Sequence, residues 1–329
     1  MNEPPRQPDG LPPTRRAGSV RRTSTVLMTW PDGLGTDLHL TGRCRDLLTP
    51  AEGAPVVLDT ADLLAVTDRG RTIERISSRP ALPGLDRLLG STAGGNLRRA
   101  IVQELPDQVE AGTPLHLLLD DLAGSTLISG FAYFRRADQI PGFEETIAKA
   151  RPRMTVNICS GFRTGASSLA SDGTLSGLPQ NVAKVGSLVD PDDPLGWHPL
   201  DRPPPVAMRR ARRIDVWAEG DELSVDAMFR DSCWDPDGSE VVVHEYRLRA
   251  RADRSTGLLQ SVDAQPRVLP YVECPLAAPN AAWLVGTALR QLRREVLDRL
   301  RGEHCCTHLN DALRALAEVP ILARALDRG

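Results

Sequence analysis

The apolar and polar positions in the first half of the chain follow the pattern of two β-hairpins and then two helices. Apolar residues alternate with polar ones in four runs, and each pair of runs is separated by a turn containing Asp and Gly. Helical spacing of leucines then takes over, with Pro114 well suited to a first helical turn. The predicted elements are strands at 25–30, 37–47, 56–67 and 72–77 and helices near 96–104 and 114–122.

The same order of elements recurs after residue 208, which indicates an internal repeat. Two further hairpins are followed by helix from about residue 280. Corresponding residues lie 185–192 positions apart, as in Trp30 with Trp217, Asp46 with Asp231, and His116 with His308. The sequence therefore predicts an α+β fold of two tandem pseudo-symmetric copies, each an antiparallel four-strand sheet covered by two helices.

Composition divides the chain into four predicted parts. Residues 1–23, rich in Pro, Arg and small polar residues, are expected to be a disordered leader because they carry too little apolar surface to fold. Residues 24–137 form the first repeat, which is expected to act as a scaffold. A Gly-, Ser- and Pro-rich linker or lid at 138–205 separates it from the second repeat at 206–329.

Charge and hydropathy narrow the range of partners. The 329 residues carry a formal net charge of −3, so we expect neither nucleic acid nor an acidic membrane surface as a partner. No apolar run approaches the roughly 20 residues that span a bilayer, and no signal-peptide core is evident, so a cytoplasmic location is expected. In a reducing cytosol the six cysteines should remain thiols or bind metal.

The most reactive stretch is His-Cys-Cys-Thr-His-Leu at 304–309, which holds two of the six cysteines and two of the six histidines. It follows a charged helical run and precedes leucines at helical spacing, so it is expected to connect two helices. Cys306 or Thr307 would then lie near the N-cap of the second helix. Free backbone N–H groups and the helix dipole at that position favour a thiolate.

Most of the reactive residues fall in the second repeat. His244, Cys274 and Cys306 have no like residue at the corresponding positions of the first repeat, and only His308 has a matching histidine, His116. This asymmetry is typical of a duplication in which one half keeps the active site and the other becomes a scaffold.

Two sulfurs and two imidazoles could form a tetrahedral zinc-type site, or three of them could bind a metal and leave one position open. The predicted ligands are His244, Cys274, Cys306 and His308, with zinc or another transition metal as the only cofactor. Two alternatives remain open, namely a cysteine nucleophile activated by histidine and a set of inert buried cysteines.

Two further residues could contribute to such a site. Asp231, beside Arg230, could supply a carboxylate or orient a histidine, although solvated strand-end charges are the favoured interpretation of this pair. Cys159, in the Gly-flanked linker, could cap the site. No phosphate-binding glycine loop and no dinucleotide fingerprint is present.

Four segments together resemble the bacterial family known as domain of unknown function 2889, over most of the chain beyond the leader. They are Arg21-Arg22-Thr23-Ser24-Thr25, Val243-His244-Glu245, Cys274-Pro275 and Cys306-Thr307-His308-Leu309. The resemblance implies His244, Cys274, Cys306 and His308 as the functional set, with Cys305 standing where the family has glycine. It implies no established activity.

Two functions are therefore expected as alternatives. The first is an enzyme that acts on a small organic molecule through Cys306, His308, His244 and Asp231, with aromatic, steroid or acyl substrates suggested by the resemblance alone. The second is a non-catalytic module that is stabilised by metal or binds a partner. An enzyme should show an open ligand position or a free Cys306 facing a pocket, whereas a module should show a closed four-ligand site.

Overall fold

The computed structural model describes residues 4–136, 155–176 and 181–328. The strands of the described residues are β1 (Ser19–Thr29), β2 (Leu38–Thr49), β3 (Val56–Thr67), β4 (Ile73–Arg79), β5 (Ala183–Lys184), β6 (Ala207–Glu219), β7 (Glu222–Trp234), β8 (Glu240–Asp253) and β9 (Leu259–Val268). The α-helices are α1 (Leu97–Glu104), α2 (Pro106–Ala111), α3 (Pro114–Ile128), α4 (Phe131–Arg135), α5 (Leu292–Arg299), α6 (Thr307–Ala315) and α7 (Val319–Ala323). Among these residues, no helix combines the length and apolar character needed to cross a bilayer.

All nine strands belong to one antiparallel sheet, which confirms the predicted α+β class. The order is β4-β3-β2-β1-β6-β7-β8, and β5 and β9 both pair with β8. The two four-strand units meet where β1 pairs with β6 along its whole length, from Ser19 opposite Trp217 to Thr29 opposite Ala207. The two halves therefore share a single sheet.

The strand pairing of the two halves agrees in one irregular detail. In the first half Asp46 lies opposite Asp59, and the register shifts directly after Asp46. In the second half Asp231 lies opposite His244, and the register shifts directly after Asp231. These are the residues that the sequence repeat aligns. That the two halves superpose as copies stays a prediction.

Both faces of the sheet centre are covered. On one face, α3 packs on β1, β2 and β3, while α6 contacts β8 and α3. On the other face, Trp197 and Leu188 form a small second core with Ala211 of β6 and Met228 of β7. Strands covered on both sides lose the alternation of exposed and buried positions, which is why nearly every residue of β1 and β6 is buried.

The expectation of a disordered leader is wrong for residues 4–23. β1 begins at Ser19, and the segment before it packs against the second half of the chain. The Leu269 N–H donates to the Pro5 carbonyl, and the Gln7 N–H donates to the Arg267 carbonyl. Arg15 pairs with the buried Asp193. Backbone hydrogen bonds and an ion pair thus hold a segment that has little apolar surface.

Part of the predicted linker or lid lies outside the described residues, namely 138–154 and 177–180. The rest packs on the body of the protein. β5 adds two residues to the sheet beside β8. The buried His198 ring lies between two hydroxyls of β1, with Nδ1 2.8 Å from Thr23 Oγ1 and Nε2 2.9 Å from Thr25 Oγ1. The segment 181–205 therefore covers the sheet face opposite the helices.

The two central strands carry buried arginines, and each has a carboxylate partner. Arg22 forms a bidentate pair with Asp46, with both N···O distances 2.6 Å. Arg212 forms one with Asp121 of α3, at 2.7 and 2.5 Å. The full set is Arg21, Arg22, Arg209, Arg210, Arg212 and Arg213. Because a guanidinium keeps its proton in proteins, these pairs are a condition for burying the two strands.

We expect Asp46→Ala to lower the free energy of unfolding by about 3 kcal/mol, because it leaves the buried Arg22 short of charge compensation. The matched control is Asp62→Ala. Its partner is the part-exposed Arg43, 3.1 Å away, so its loss should cost less than about 1 kcal/mol. Urea unfolding of both variants measures the difference. Equal losses would contradict the structural importance of the buried pair.

Candidate metal centre

Two neighbouring strands and one helix bring together three of the candidate residues. Asp231 and His244 are direct partners across β7 and β8, so their side chains project from the same face of the sheet. His308 lies in the first turn of α6, which packs on β8. The 304–309 motif thus places an imidazole over a strand pair that carries a carboxylate and a second imidazole.

The Asp231 carboxylate lies at the meeting point of the two rings. Its Oδ2 atom is 3.9 Å from His244 Nδ1 and 3.8 Å from His308 Nε2. One ligand atom from each of the three residues lies within 4.8 Å of the other two. The rings stack nearly parallel, with centroids 3.5 Å apart and an interplanar angle of 14°.

Arg210 holds the carboxylate in this orientation. Its Nε donates to Asp231 Oδ1 at 2.9 Å and its Nη2 donates to Oδ2 at 3.0 Å, while Nη1 donates to Asp311 of α6 at 3.0 Å. Asp231 is 0% exposed, so the favoured expectation of a solvated strand-end charge is wrong. Two hydrogen bonds from one guanidinium prevent the Asp231 carboxylate from rotating, and they leave lone pairs on Oδ2 free.

Both rings are neutral at physiological pH. Burial lowers the pKa of His308 to about 3, and the nearby Arg210 contributes in the same direction. Burial also lowers the pKa of His244 well below its ordinary value, with His308 as the next cause. The Nδ1 atom of His244 is buried and has no hydrogen-bond partner among the described residues. An unsatisfied buried nitrogen is costly, and a metal ion would satisfy it.

The three residues fit the requirements of a divalent transition metal. Bonds of about 2.0–2.2 Å place neighbouring ligand atoms roughly 3–3.5 Å apart in tetrahedral or octahedral geometry. The two spacings between the carboxylate and a ring nitrogen, 3.8 and 3.9 Å, need to contract by less than about 1 Å to reach that range. The two ring nitrogens lie within 4.8 Å of each other, so they need to contract by less than about 2 Å. Two histidines and one carboxylate on one side of an ion leave its remaining positions open.

Cys306 is the N-cap residue of α6, as the motif predicts. Burial raises the pKa of its thiol, although the Tyr246 hydroxyl and the backbone N–H groups of Leu309 and His308 oppose that rise. The helix start therefore does not produce a thiolate. The Tyr246 hydroxyl is itself buried, and within the described ranges it has no oxygen or nitrogen partner, so the Cys306 thiol is its polar neighbour.

Cys274 and the linker residue Cys159 lie beside each other. A Cβ atom on Gly161 would be 2.7 Å from Cys274 Sγ and 3.9 Å from Cys159 Sγ, so the segment 155–176 approaches Cys274 at a position that only glycine fits. Burial raises the pKa of Cys159 to about 12. Cys159 is thus a buried, protonated thiol beside Cys274, and its role as a cap of the site stays a prediction.

The four ligands predicted from the sequence separate into two groups. His244 and His308 lie together with Asp231, and neither Cys274 nor Cys306 joins the set whose ligand atoms lie within 4.8 Å of one another. Both cysteines lie in the thiol cluster next to it. In that cluster the Cys305 Sγ donates to the Ile158 carbonyl at 3.4 Å. A role for the cysteines as ligands stays a prediction.

The first half carries no equivalent group of histidines. His116 of α3 is buried with its Nδ1 3.5 Å from Glu318, and the position that faces Asp46 across the strands is Asp59. A carboxylate therefore stands where the second half has His244. That the second half is the active one stays a prediction.

Arg210 is the residue of the candidate site that sequence reasoning missed. The available signal was the pair of Arg-Arg doublets at 209–210 and 212–213 within a run of strand-like spacing. Arginines at consecutive positions of a buried strand require carboxylates on both faces, and the nearest candidate across the hairpin was Asp231.

Fold and site together describe an α+β protein with a buried group of two histidines and an aspartate on a continuous antiparallel sheet. Residues 208–322 match the model of a family described as protein of unknown function (DUF2889). The resemblance is therefore confirmed for this part of the chain, which includes His244, Cys274, Cys306 and His308. The match does not extend to the first half, so the duplication stays a prediction. No curated protein and no solved structure matches the chain.

We expect the metal-free protein to lose stability as the pH falls from about 6.5 towards 3. The unfolded state binds a proton at His308 near pH 6.5, while the folded state binds it only near pH 3. At pH 5 this residue alone should cost about 2 kcal/mol relative to pH 7.5. Urea unfolding in the presence of a chelator should show that His308→Gln reduces the pH dependence by that amount. The exposed His304→Gln should leave it unchanged, and equal slopes in all three proteins would contradict the assignment.

Proposed function

We propose that Asp231, His244 and His308 bind one divalent transition metal, of the zinc or iron(II) type, and that the protein is an enzyme acting on a small organic molecule at that metal. The observation that carries the proposal is the convergence of three ligand atoms within 4.8 Å, one of them a buried ring nitrogen without a hydrogen-bond partner in the described part of the chain. The neutral rings support it, because histidine binds metals through an unprotonated nitrogen.

Two features favour catalysis over a purely structural metal. Structural zinc sites normally have four protein ligands, whereas three leave at least one position for substrate or water. The His308 side chain is 15% exposed, so the group borders on solvent at α6. A metal held by Asp231, His244 and His308 would supply Lewis-acid chemistry for a substrate oxygen. The hydrogen bonds from Arg210 would keep the Asp231 carboxylate in its orientation while the metal is bound.

The residues beside the metal group suggest the type of substrate. Phe229 lies against His308 with ring centroids 6.3 Å apart, and Tyr246 and Cys306 add an uncharged hydroxyl and thiol. Two guanidiniums also lie over the Phe229 ring, Arg210 at 4.9 Å and Arg212 at 4.8 Å, but both are paired with carboxylates. These apolar, neutral and charge-paired groups suit an uncharged organic molecule better than a phosphate. Aromatic, steroid or acyl substrates remain the proposed classes, and the resemblance is their source. We also propose a bacterial cytoplasmic location, in which six free thiols are stable.

One observation favours the alternative, a metal-stabilised module. Asp231 and His244 are buried, and the carboxylate is already paired with Arg210, as expected of a group that serves stability. The alternative requires a closed coordination shell, which Cys274 or Cys306 would complete after rearrangement. The two functions therefore differ in one property of the metal: an enzyme leaves it positions at which ligands exchange, and a module does not.

We expect the purified protein to bind about one equivalent of zinc or iron, measured by elemental analysis and by titration of the chelated protein. His244→Gln, His308→Gln and Asp231→Asn should each lower the affinity by more than about 100-fold, since even outer-shell partners are worth about 10- to 100-fold. His304→Gln is the matched control. His304 lies in the same motif but outside the group of ligand atoms, so the metal affinity of this variant should equal that of the parent protein.

The open position is tested with the cobalt(II)-substituted protein. Azide or cyanide should change its visible absorption if the metal has exchangeable positions, as an enzyme requires. An unchanged spectrum would support the module. Metal binding that is equal in the parent protein and in His244→Gln, His308→Gln and Asp231→Asn would contradict the metal site itself.

We expect Cys306→Ser to change metal affinity by less than about tenfold, because Cys306 lies outside the group of ligand atoms. Thermal melting with and without added metal should show a similar metal-dependent stabilisation in the variant and in the parent protein. Loss of the bound metal from Cys306→Ser would instead show that this thiol is a ligand, as the sequence predicted.

A further inference from the structure

A second feature of the molecule lies far from the metal group. A cavity of about 430 Å³ opens where the turn between β8 and β9 meets the C-terminal helix α7. Its volume lies in the range of sites for small organic ligands. The lining combines apolar and charged side chains, which include Leu223, Pro320, Arg254, Arg290, Arg324 and Asp327.

The charges around this cavity are not balanced. Arg254 pairs with Asp327 at 2.5 Å, which neutralises one guanidinium. Arg290 and Arg324 are exposed, and the structure gives neither a carboxylate partner among the described residues. This differs from the sheet centre, where every arginine has one. Two guanidiniums without partners leave the lining with a formal charge of +2.

We propose that this cavity binds a small organic phosphate monoester. A phosphate monoester carries a charge of about −1.5 to −2 near neutral pH, which matches two unpaired guanidiniums, whereas a single carboxylate matches only one. Guanidinium groups bind phosphate oxygens through paired N–H donors. Leu223 and Pro320 supply an apolar wall for the organic part of the ligand.

The cavity is separate from the metal group. Leu223 stands near the beginning of β7, opposite Ala252, whereas Asp231 pairs with His244 eight positions further along the same strand. That separation is roughly 25 Å at the rise of an extended strand. The phosphate site is therefore a second ligand site, and it does not depend on the proposed metal chemistry.

The test is isothermal titration of the full chain with phenyl phosphate, inorganic phosphate and benzoate. Phenyl phosphate should bind saturably at one site, inorganic phosphate should compete with it, and benzoate, with a similar body and one charge, should bind at least about tenfold more weakly. Arg290→Gln and Arg324→Gln should each reduce the affinity for phenyl phosphate about tenfold or more. Arg294→Gln is the matched control, because Arg294 is an exposed arginine outside the cavity lining.

Two results would overturn the proposal. One is the absence of saturable phenyl phosphate binding by the parent protein. The other is that Arg290→Gln and Arg324→Gln bind phenyl phosphate as tightly as the control Arg294→Gln does. Benzoate binding as tightly as phenyl phosphate would overturn the assignment to a doubly charged group. Repeating the titration with chelated protein and with His244→Gln should give the same affinity, which keeps this result independent of the metal site.

Discussion

A buried guanidinium remains charged, and this constraint shapes the centre of the molecule. β1 and β6 pair at the middle of a sheet that is covered on both faces, yet they carry six buried arginines. Each arginine therefore requires a carboxylate, and the carboxylates come from neighbouring strands and from the helices above. Arg212 reaches Asp121 in α3 and Arg210 reaches Asp311 in α6, so the same ion pairs that permit burial of the strands also fasten the two helices to the sheet.

The candidate metal group is a local variation on this arrangement. In both halves an arginine of the central strand, β1 or β6, forms an ion pair with an aspartate of the next strand, β2 or β7. That aspartate lies opposite a residue of the third strand, β3 or β8. The first half places Asp59 there, and the second half places His244. Burial lowers the pKa of His244 and of His308, so both rings are neutral. The Asp231 carboxylate that Arg210 holds therefore lies beside two imidazoles, each with an unprotonated nitrogen. The structural ion pair and the proposed chemistry share Asp231.

Local pattern was sufficient to predict much of this. The hairpins followed from alternating positions, and the N-cap position of Cys306 followed from helical spacing. The sequence also predicted that His244 and His308 lie close together, as they do. Long-range choices were not encoded in that pattern. Pairing of β1 with β6 joins residues 178 to 198 positions apart, and the periodicity of neither strand indicates which strand it pairs with. The Pro-rich segment before Ser19 was misjudged because hydrogen bonds and Arg15, not apolar surface, hold it in place.

The position of β1 has a consequence for the order of assembly during translation. The ribosome completes β1 to β4 long before it makes β6, so an unfinished chain can form only a four-stranded sheet whose outer strand is β1. That strand is eleven residues long, and its Arg21 has its carboxylate partner, Asp215, on the missing β6. A long unpaired edge is a template for association with other chains. Synthesis of the second half is thus also the event that closes this edge, and a prematurely terminated chain would present it to the rest of the cell.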